Sequence, residues 1–523
     1  MSNTLSKEIV IHLGEQRVKG VVFLPVTMDP PANYRAHLTK RPDIVHVSTD
    51  DLTRTAHIRE ALIKQIAKAK QKVLFCSFLF ADEEIVRALC EAAERLQGGV
   101  YILTALGKHL RAEVLDEPDS DVDKNTAKLQ ERARRHDEHL SRLARAGAWL
   151  RSVEDCHAKF CVIDDACAIV TSANATQEAY ESNPEDGLLL LNNSVAHEFG
   201  RLFAHVWRHL ATLESVPGTR LDVHSLDLHP PVWRILSGDQ GIRPVTTLRC
   251  DETSLCAAAI DIIDRAQEHL AIASYSFMGM ETHPIGDALA RALERKVRID
   301  LLVQPRNHVD AQRISLAWLL NLAPSQVRLC GHRRTHTKSI IADNQIVLLW
   351  TGNLESRHGW DNGIEVGIVV EDAGVAAAVS AWTGDVMQRH THIALISPSV
   401  RELVASGQPL ALPGEWTLTL SPNIQASAVV DALSQNPAEL LEVDGKTVLR
   451  CGNELLLDIR VDAENRGIEV VQPWDKNFIG SRSKGWLAES VVRIVGAPVR
   501  PSTQEKLPHK RHSQRANRKT RRQ

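Results

Sequence analysis

The chain has 523 residues, of which 43% are hydrophobic and 24% charged, and it carries a net charge of −3. That is the make-up of an ordinary soluble globular protein of two or three domains, and core formation is assured at this length. No run approaches the ~20 apolar residues of a membrane span, and the start "MSNTLSKEIVIHLG" lacks a signal-peptide apolar core, so a cytoplasmic protein is expected and a membrane partner is not.

Residues 1–54 read as an N-terminal β extension, with strands "EIVIHLG" and "VKGVVFLPV" joined by a turn and followed by a Pro-rich loop. From residue 55 an order of elements begins that later recurs. "TAHIREALIKQIAKAK" has helical apolar spacing, "KVLFCSFLF" is a buried strand, "DEEIVRALCEAAERLQGG" an amphipathic helix with a glycine stop, and "VYILTAL" a strand. The second copy runs "SLCAAAIDIIDRAQ", "HLAIASYSF", "PIGDALARALERK" and "VRIDLLVQP". Each copy then has a helix and a short strand, "AWLRSV" or "QVRLCG". Only the first carries an insertion, "LRAEVLDEPDSDVDKNTAKLQERARRHDEHLSRLARAG", acidic in front and a charged helix behind. It reads as a solvated surface helix or as an arm over the active site. The halves span 55–215 and 216–395. Such alternation argues a sheet covered by helices.

Residues 396–500 change character. "EWTLTLSP", "ELLEVDGKTVLRCG" and "ELLLDIRVDAENRGIEVVQ" are strands linked by Asp-Gly, Gly-Asn and Asn-Arg-Gly turns, a small β-rich domain. Residues 501–523 hold eight Lys or Arg and are expected to be a disordered basic tail that contacts nucleic acid.

Each half closes on the same sparse pattern. His157, Lys159, Asp164 and Asn174 lie in "HAKFCVIDDACAIVTSAN"; His336, Lys338, Asp343 and Asn353 lie in "HTKSIIADNQIVLLWTGN", at identical offsets. Glu185 and Glu365 follow in N-x-E and N-x-x-E segments. One H-x-K means nothing; a set of matched positions in two copies rarely arises by chance. Cys156, Cys161 and Cys167 crowd the first motif, but structural zinc sites use two tight ligand pairs, and reduced buried thiols are the simpler reading.

The doubled H-x-K-x4-D pattern resembles the phospholipase D superfamily, over roughly residues 55–390. The resemblance implies an α/β fold of duplicated α/β/α halves, each a mixed sheet flanked by helices, with the β-rich C-terminal domain added. It implies a metal-independent phosphodiesterase without cofactor, whose catalytic set is His157, Lys159, Asp164, Asn174, Glu185, His336, Lys338, Asp343, Asn353 and Glu365. One neutral histidine attacks phosphorus to give a phosphohistidine, and the other, protonated, serves the leaving oxygen. Lysines and asparagines meet the phosphoryl oxygens, and each glutamate orients a histidine. Asp164 and Asp343 end their strands and are expected to support the motif. The chain departs from the family where Thr171 and Trp350 replace a glycine, while Ser172 and Thr351 keep the following hydroxyl; Trp350 is expected to pack.

Arg333, Arg334, Arg357 and Trp360 flank the second motif and suit phosphate contact and base stacking. A nuclease in bacterial defence or nucleic-acid processing is the favoured expectation. Phospholipid hydrolysis or transfer, and a non-catalytic nucleic-acid-binding module, are the alternatives. "DGKT" around Gly445 lacks the earlier glycine of a Walker A loop, so a helicase or ATPase would be a partner. With both motifs in one chain, no oligomer is required.

Overall fold

The computed structural model describes residues 41–389 except 51–54, 108, 111–121, 192–193, 228–232, 250–251, 307–308, 324–325 and 357–358, and beyond that span nine strands between residues 7 and 496. Each half is built on one mixed sheet. In the first, Ile44–Asp50, Glu185–Leu191, Cys167–Thr171, Phe160–Ile163, Val73–Cys76, Val100–Leu103 and Trp149–Ser152 lie side by side. In the second, Ile242–Leu248, Ile364–Glu371, Ile346–Trp350, Ser339–Ala342, His269–Ala273, Arg298–Val303 and Val327–Gly331 take the same places. The predicted duplication is therefore a structural one. The strands that follow helices pair in parallel, and those around the motif pair antiparallel.

The motif strands, "FCVI" and "SIIA", are buried at every position, because both faces of each sheet are covered. One face of the first sheet meets helices His57–Lys68 and Glu83–Arg95, whose Ile58, Leu62, Ile85 and Leu89 are fully buried. Asp82 starts the second of these helices by accepting the Ile85 amide (3.0 Å). The matching face of the second sheet is covered by Ser254–Arg265, Pro284–Glu294 and Asp310–Leu322. The inner faces form a shared core, in which Val162, Val170, Leu188 and Leu190 of one sheet meet Val347, Leu349, Val366 and Ile368 of the other. The two sheets thus face each other, and the motifs approach where the shared core opens.

Three sequence expectations are revised. Strand Ile44–Asp50, assigned to an N-terminal extension, pairs with Glu185–Leu191 and is the counterpart of Ile242–Leu248, so the first half begins before residue 55. The two N-terminal strands do not form a hairpin: Lys7–Leu13 pairs with Ser490–Gly496, and Gly20–Pro25 pairs with His392–Ser397 at the edge of the second sheet. The inserted helix, Val122–Arg145, is more than a solvated face. Its outer side carries the Arg134–Glu131 and Arg135–Glu131 ion pairs, but Leu140, Leu143 and Ala144 are in the core. Buried His136 accepts the Phe80 amide at Nδ1 (2.9 Å) and donates from Nε2 to the Ala105 carbonyl (2.8 Å). Burial holds that imidazole neutral, with its pKa pulled down to about 4.

The β-rich region forms a separate seven-stranded sheet that includes Glu415–Leu420, Ala438–Val443, Lys446–Cys451, Leu455–Asp462 and Gly467–Pro473. The basic tail lies outside the described residues.

Candidate active site

Each H-x-K segment is laced to the other half rather than to its own. The His157 amide donates to the Ile364 carbonyl (3.1 Å), and the Ile364 amide donates to the Asp155 carbonyl (2.9 Å). On the opposite side the His336 amide donates to the Pro184 carbonyl (3.0 Å). Ile364 and Pro184 are the residues just before the two glutamates. The lacing therefore delivers each carboxylate to the histidine of the other motif. His157 Nδ1 is hydrogen-bonded to Glu365 Oε1 (2.9 Å), and His336 Nδ1 to Glu185 Oε2 (3.1 Å), with Glu185 Oε1 also 2.9 Å away.

The glutamates are sealed in, with 0–1% of their surface exposed. Glu185 Oε2 also accepts the Ser172 hydroxyl (2.5 Å), and the other oxygen of Glu365 accepts the Thr351 hydroxyl. Those are the hydroxyls that the sequence retains before each motif asparagine. Burial opposes the charge on Glu185, but His336, Lys338 and Ser172 outweigh it and keep its carboxyl below the usual range. Glu365 is held down the same way by His157, Lys159 and Thr351. A carboxylate on Nδ1 fixes the tautomer and turns Nε2 toward substrate.

Both histidines line one cavity of about 360 Å³, together with Asn174 and Asn353. The asparagine Oδ1 atoms are buried without a protein partner, and Asn353 Nδ2 lies 3.4 Å from Glu355 Oε1. Lys159 and Lys338 are fully buried and do not line the cavity; each Nζ donates to the carbonyl of its own histidine, at 2.6 and 2.7 Å. Lys338 Nζ also lies 3.0 Å from His336 Nδ1, so that nitrogen stands between the ammonium and the Glu185 carboxylate. Burial lowers both lysines, Lys338 to about 7. Burial also leaves both histidines below their ordinary value. Buried cations beside paired imidazoles and buried carboxylates make a site for stabilising charge on phosphorus.

The same duplicated segment matches, twice, the family profile described as "Cardiolipin synthase, PLD-like domain", over residues 62–207 and 259–386. The chain belongs to the phospholipase D superfamily. A search of curated proteins finds no significant match. Among solved structures the chain is similar to phosphatidylserine synthase from Haemophilus influenzae Rd KW20 (14% identity, 72% of this chain and 90% of that one, TM-score 0.46). It is also similar to polyphosphate kinase from Porphyromonas gingivalis (13%, 71% and 52%, TM-score 0.45) and to the phospholipase D family member Nuc from Salmonella typhimurium (22%, 30% and 98%, TM-score 0.25).

In this phospholipase D-like site the structure corrects part of the sequence-derived set. Asp164 and Asp343 do not line the cavity and have the supporting position expected of them. They sit at the far end of the motif strands in left-handed turns (φ 52° and 50°). Asp164 accepts the amides of Lys70, Gln71 and Lys72 (2.7–2.9 Å), and Asp343 those of Gln267, Glu268 and His269 (2.8–2.9 Å). Each ties its motif strand to the strand beside it. Trp360 is fully buried against Trp350 (ring centroids 5.4 Å) and presents no face for a base. Arg333 and Arg334 are exposed on the turn before His336 and do not line the cavity; Arg357 lies outside the described residues. Cys161 and Cys167 belong to the outer core, and the Cys76 and Cys156 thiols lie 3.7 Å apart in the shared one.

Other residues take the wall instead. Tyr275 meets the His336 ring edge-on (5.3 Å), and Arg306 stacks over Tyr275 (4.9 Å). Phe78, the positional counterpart of Tyr275, lines the other side, and Arg132 reaches in from the inserted helix one turn before His136. The shared "S-F" and "S-Y" steps after the second strand of each half were the available signal for Phe78 and Tyr275.

Proposed function

We propose that the chain is a metal-independent nuclease working through a phosphohistidine. The observation that carries the chemistry is the reciprocal pairing of His157 with Glu365 and His336 with Glu185 at one cavity. Neutral Nε2 of one histidine forms a bond to phosphorus while the P–O bond to the leaving group breaks. The other histidine gives that oxygen its proton. In the second step it takes a proton from water, the water oxygen bonds to phosphorus, and the N–P bond breaks.

The nucleic-acid reading is supported by the wall of the cavity. Arg306 stacked on Tyr275, with Phe78 and Arg132 opposite, offers rings for bases and guanidinium groups for flanking phosphates. The eight Lys or Arg of residues 501–523 add a polyanion-binding segment. A helicase or ATPase partner would supply strand opening where duplex is the target.

The deciding experiment offers the purified chain, in excess EDTA, single- and double-stranded DNA, RNA and phosphatidylcholine vesicles side by side. Nucleic-acid cleavage lost in His157→Ala and His336→Ala is the expected result. Turnover of lipid alone would replace the nuclease reading with a phospholipase one. Activity that returns only with added Mg²⁺ or Zn²⁺ would overturn the metal-independent mechanism.

A further inference from the structure

The catalytic set is duplicated residue for residue, but its immediate neighbours are not. After Glu365 comes Val366; after Glu185 comes Asp186. Between His157 and Lys159 stands Ala158; between His336 and Lys338 stands Thr337. All four are buried. Ala158 and Val366 are both members of the apolar core between the sheets. In the mirrored position the Asp186 carboxylate lies beside the Thr337 hydroxyl and the Lys338 backbone. No hydrogen bond of good geometry reaches either of its oxygens. Its main chain is fixed by Ser172 Oγ (3.0 Å, from the Asp186 amide) and Thr171 Oγ1 (2.8 Å, to its carbonyl). The other half shows that valine fills this place in the same fold. A buried, poorly satisfied carboxylate is unfavourable there unless its charge is used.

We propose that Asp186 is a positioning residue that breaks the charge symmetry of the site, placing the resting proton on His336 as the acid and leaving His157 neutral as the nucleophile. The proposal rests on the two-histidine phosphodiesterase reading. The same residue types, Lys159 with Glu365 and Lys338 with Glu185, stand on the two sides, and Asp186 is added to one of them. Its added negative charge stands beside the Glu185 carboxylate and the Lys338 ammonium, on the His336 side of the site, where little solvent screens it. The facing groups are Glu185 on its own strand, Lys338 on the motif strand, and uncharged Ser48 and Thr171 on the flanking strands. His46, two places from Ser48, is neutral because burial pulls its pKa to about 4. Burial pushes Asp186 up to about 6, which leaves it ionised at neutral pH.

The test compares wild type with Asp186→Asn (shape kept, charge removed) and Asp186→Val (the residue of the other half). The probes are bis(p-nitrophenyl) phosphate, whose leaving group departs easily, and diphenyl phosphate, whose leaving group needs a proton. Both variants are expected to lose about tenfold or more in kcat/KM on diphenyl phosphate and little on the nitrophenyl ester. Removing a negative charge makes His336⁺ easier to lose, so the alkaline limb of the pH profile moves down by about one unit. Equal losses on both probes, an unmoved profile, or a collapse of the fold in both variants overturns the proposal by making Asp186 merely structural. Inactive wild type, or full activity in His336→Ala, instead sinks the phosphodiesterase reading beneath it.

Discussion

Replacing Asp164 by Asn separates the structural from the catalytic reading of the motif aspartates. Asn tolerates the left-handed conformation at φ 52°, so the backbone is not strained and only the charge is removed. Asp164 holds the amides of Lys70, Gln71 and Lys72 at 2.7, 2.8 and 2.9 Å. A hydrogen bond to a charged acceptor contributes about 1.5–3 kcal/mol, and a neutral one about 0.5–1.5 kcal/mol. One amide oxygen cannot serve three donors as a carboxylate does, but the turn is partly exposed and water replaces part of the loss. The expected destabilisation is roughly 2 kcal/mol, or about 4–8 °C in Tm for a unit of this size. Burial opposes the Asp164 charge, but the three amides outweigh it and hold its pKa below the unfolded value. Its contribution is therefore complete above the unfolded pKa near ~3.9 and is lost as pH falls through the folded one. Calorimetry should show a gap between wild type and variant at pH 7 that narrows below about pH 4. The turnover number at 25 °C should stay within about twofold of wild type, on the ground that the aspartate never meets substrate. A large fall in kcat with an unchanged Tm would refute the assignment.

Glu365→Gln and Glu185→Gln each keep the shape of a pair but remove the charge that fixes a histidine tautomer. Each should lower kcat about 10²–10⁴-fold with circular dichroism unchanged; near-wild-type turnover would show that the cross-half pairs are incidental. In the proposed mechanism the competent enzyme carries one imidazolium, and both histidines lie below their ordinary pKa because of burial. The imidazolium is lost as pH rises through that lowered value, so a bell-shaped profile peaking on the acidic side of neutrality is expected; rates still rising past pH 8 would contradict it. Deleting residues 505–523 should weaken DNA binding at low salt and flatten its salt dependence, while cleavage of a saturating short substrate is unchanged; an unaltered salt slope removes the tail from the binding surface.

The duplicated order of strands and helices was legible because each apolar run has the length and period of the element it forms, and the paired motifs were legible because their offsets repeat. What a linear pattern does not encode is which half a side chain serves. The glutamates were found, but their exchange between halves depends on backbone lacing at Pro184 and Ile364, which no spacing reveals. Trp360 misled because a tryptophan between polar loop residues looks exposed, whereas its ring is buried against Trp350. Arg132 was missed because its helix reads as charged all round; the buried side became visible only with His136 bonded to Phe80 and Ala105. Asp186 sits inside "NPEDGLLL" as one of two acids, and only the superposed half, with valine in its place, singles it out.

The exchanged carboxylates also make the enzyme a natural complementation pair. A fragment ending in the 216–241 connection would carry His157 with no partner acid, and the remaining fragment would carry His336 in the same condition. Neither contains one finished dyad, so separated pieces are silent and their reassociation restores both dyads at once. Any force or ligand that parts the sheets silences the two histidines together, and turnover becomes a direct gauge of how tightly the halves are docked.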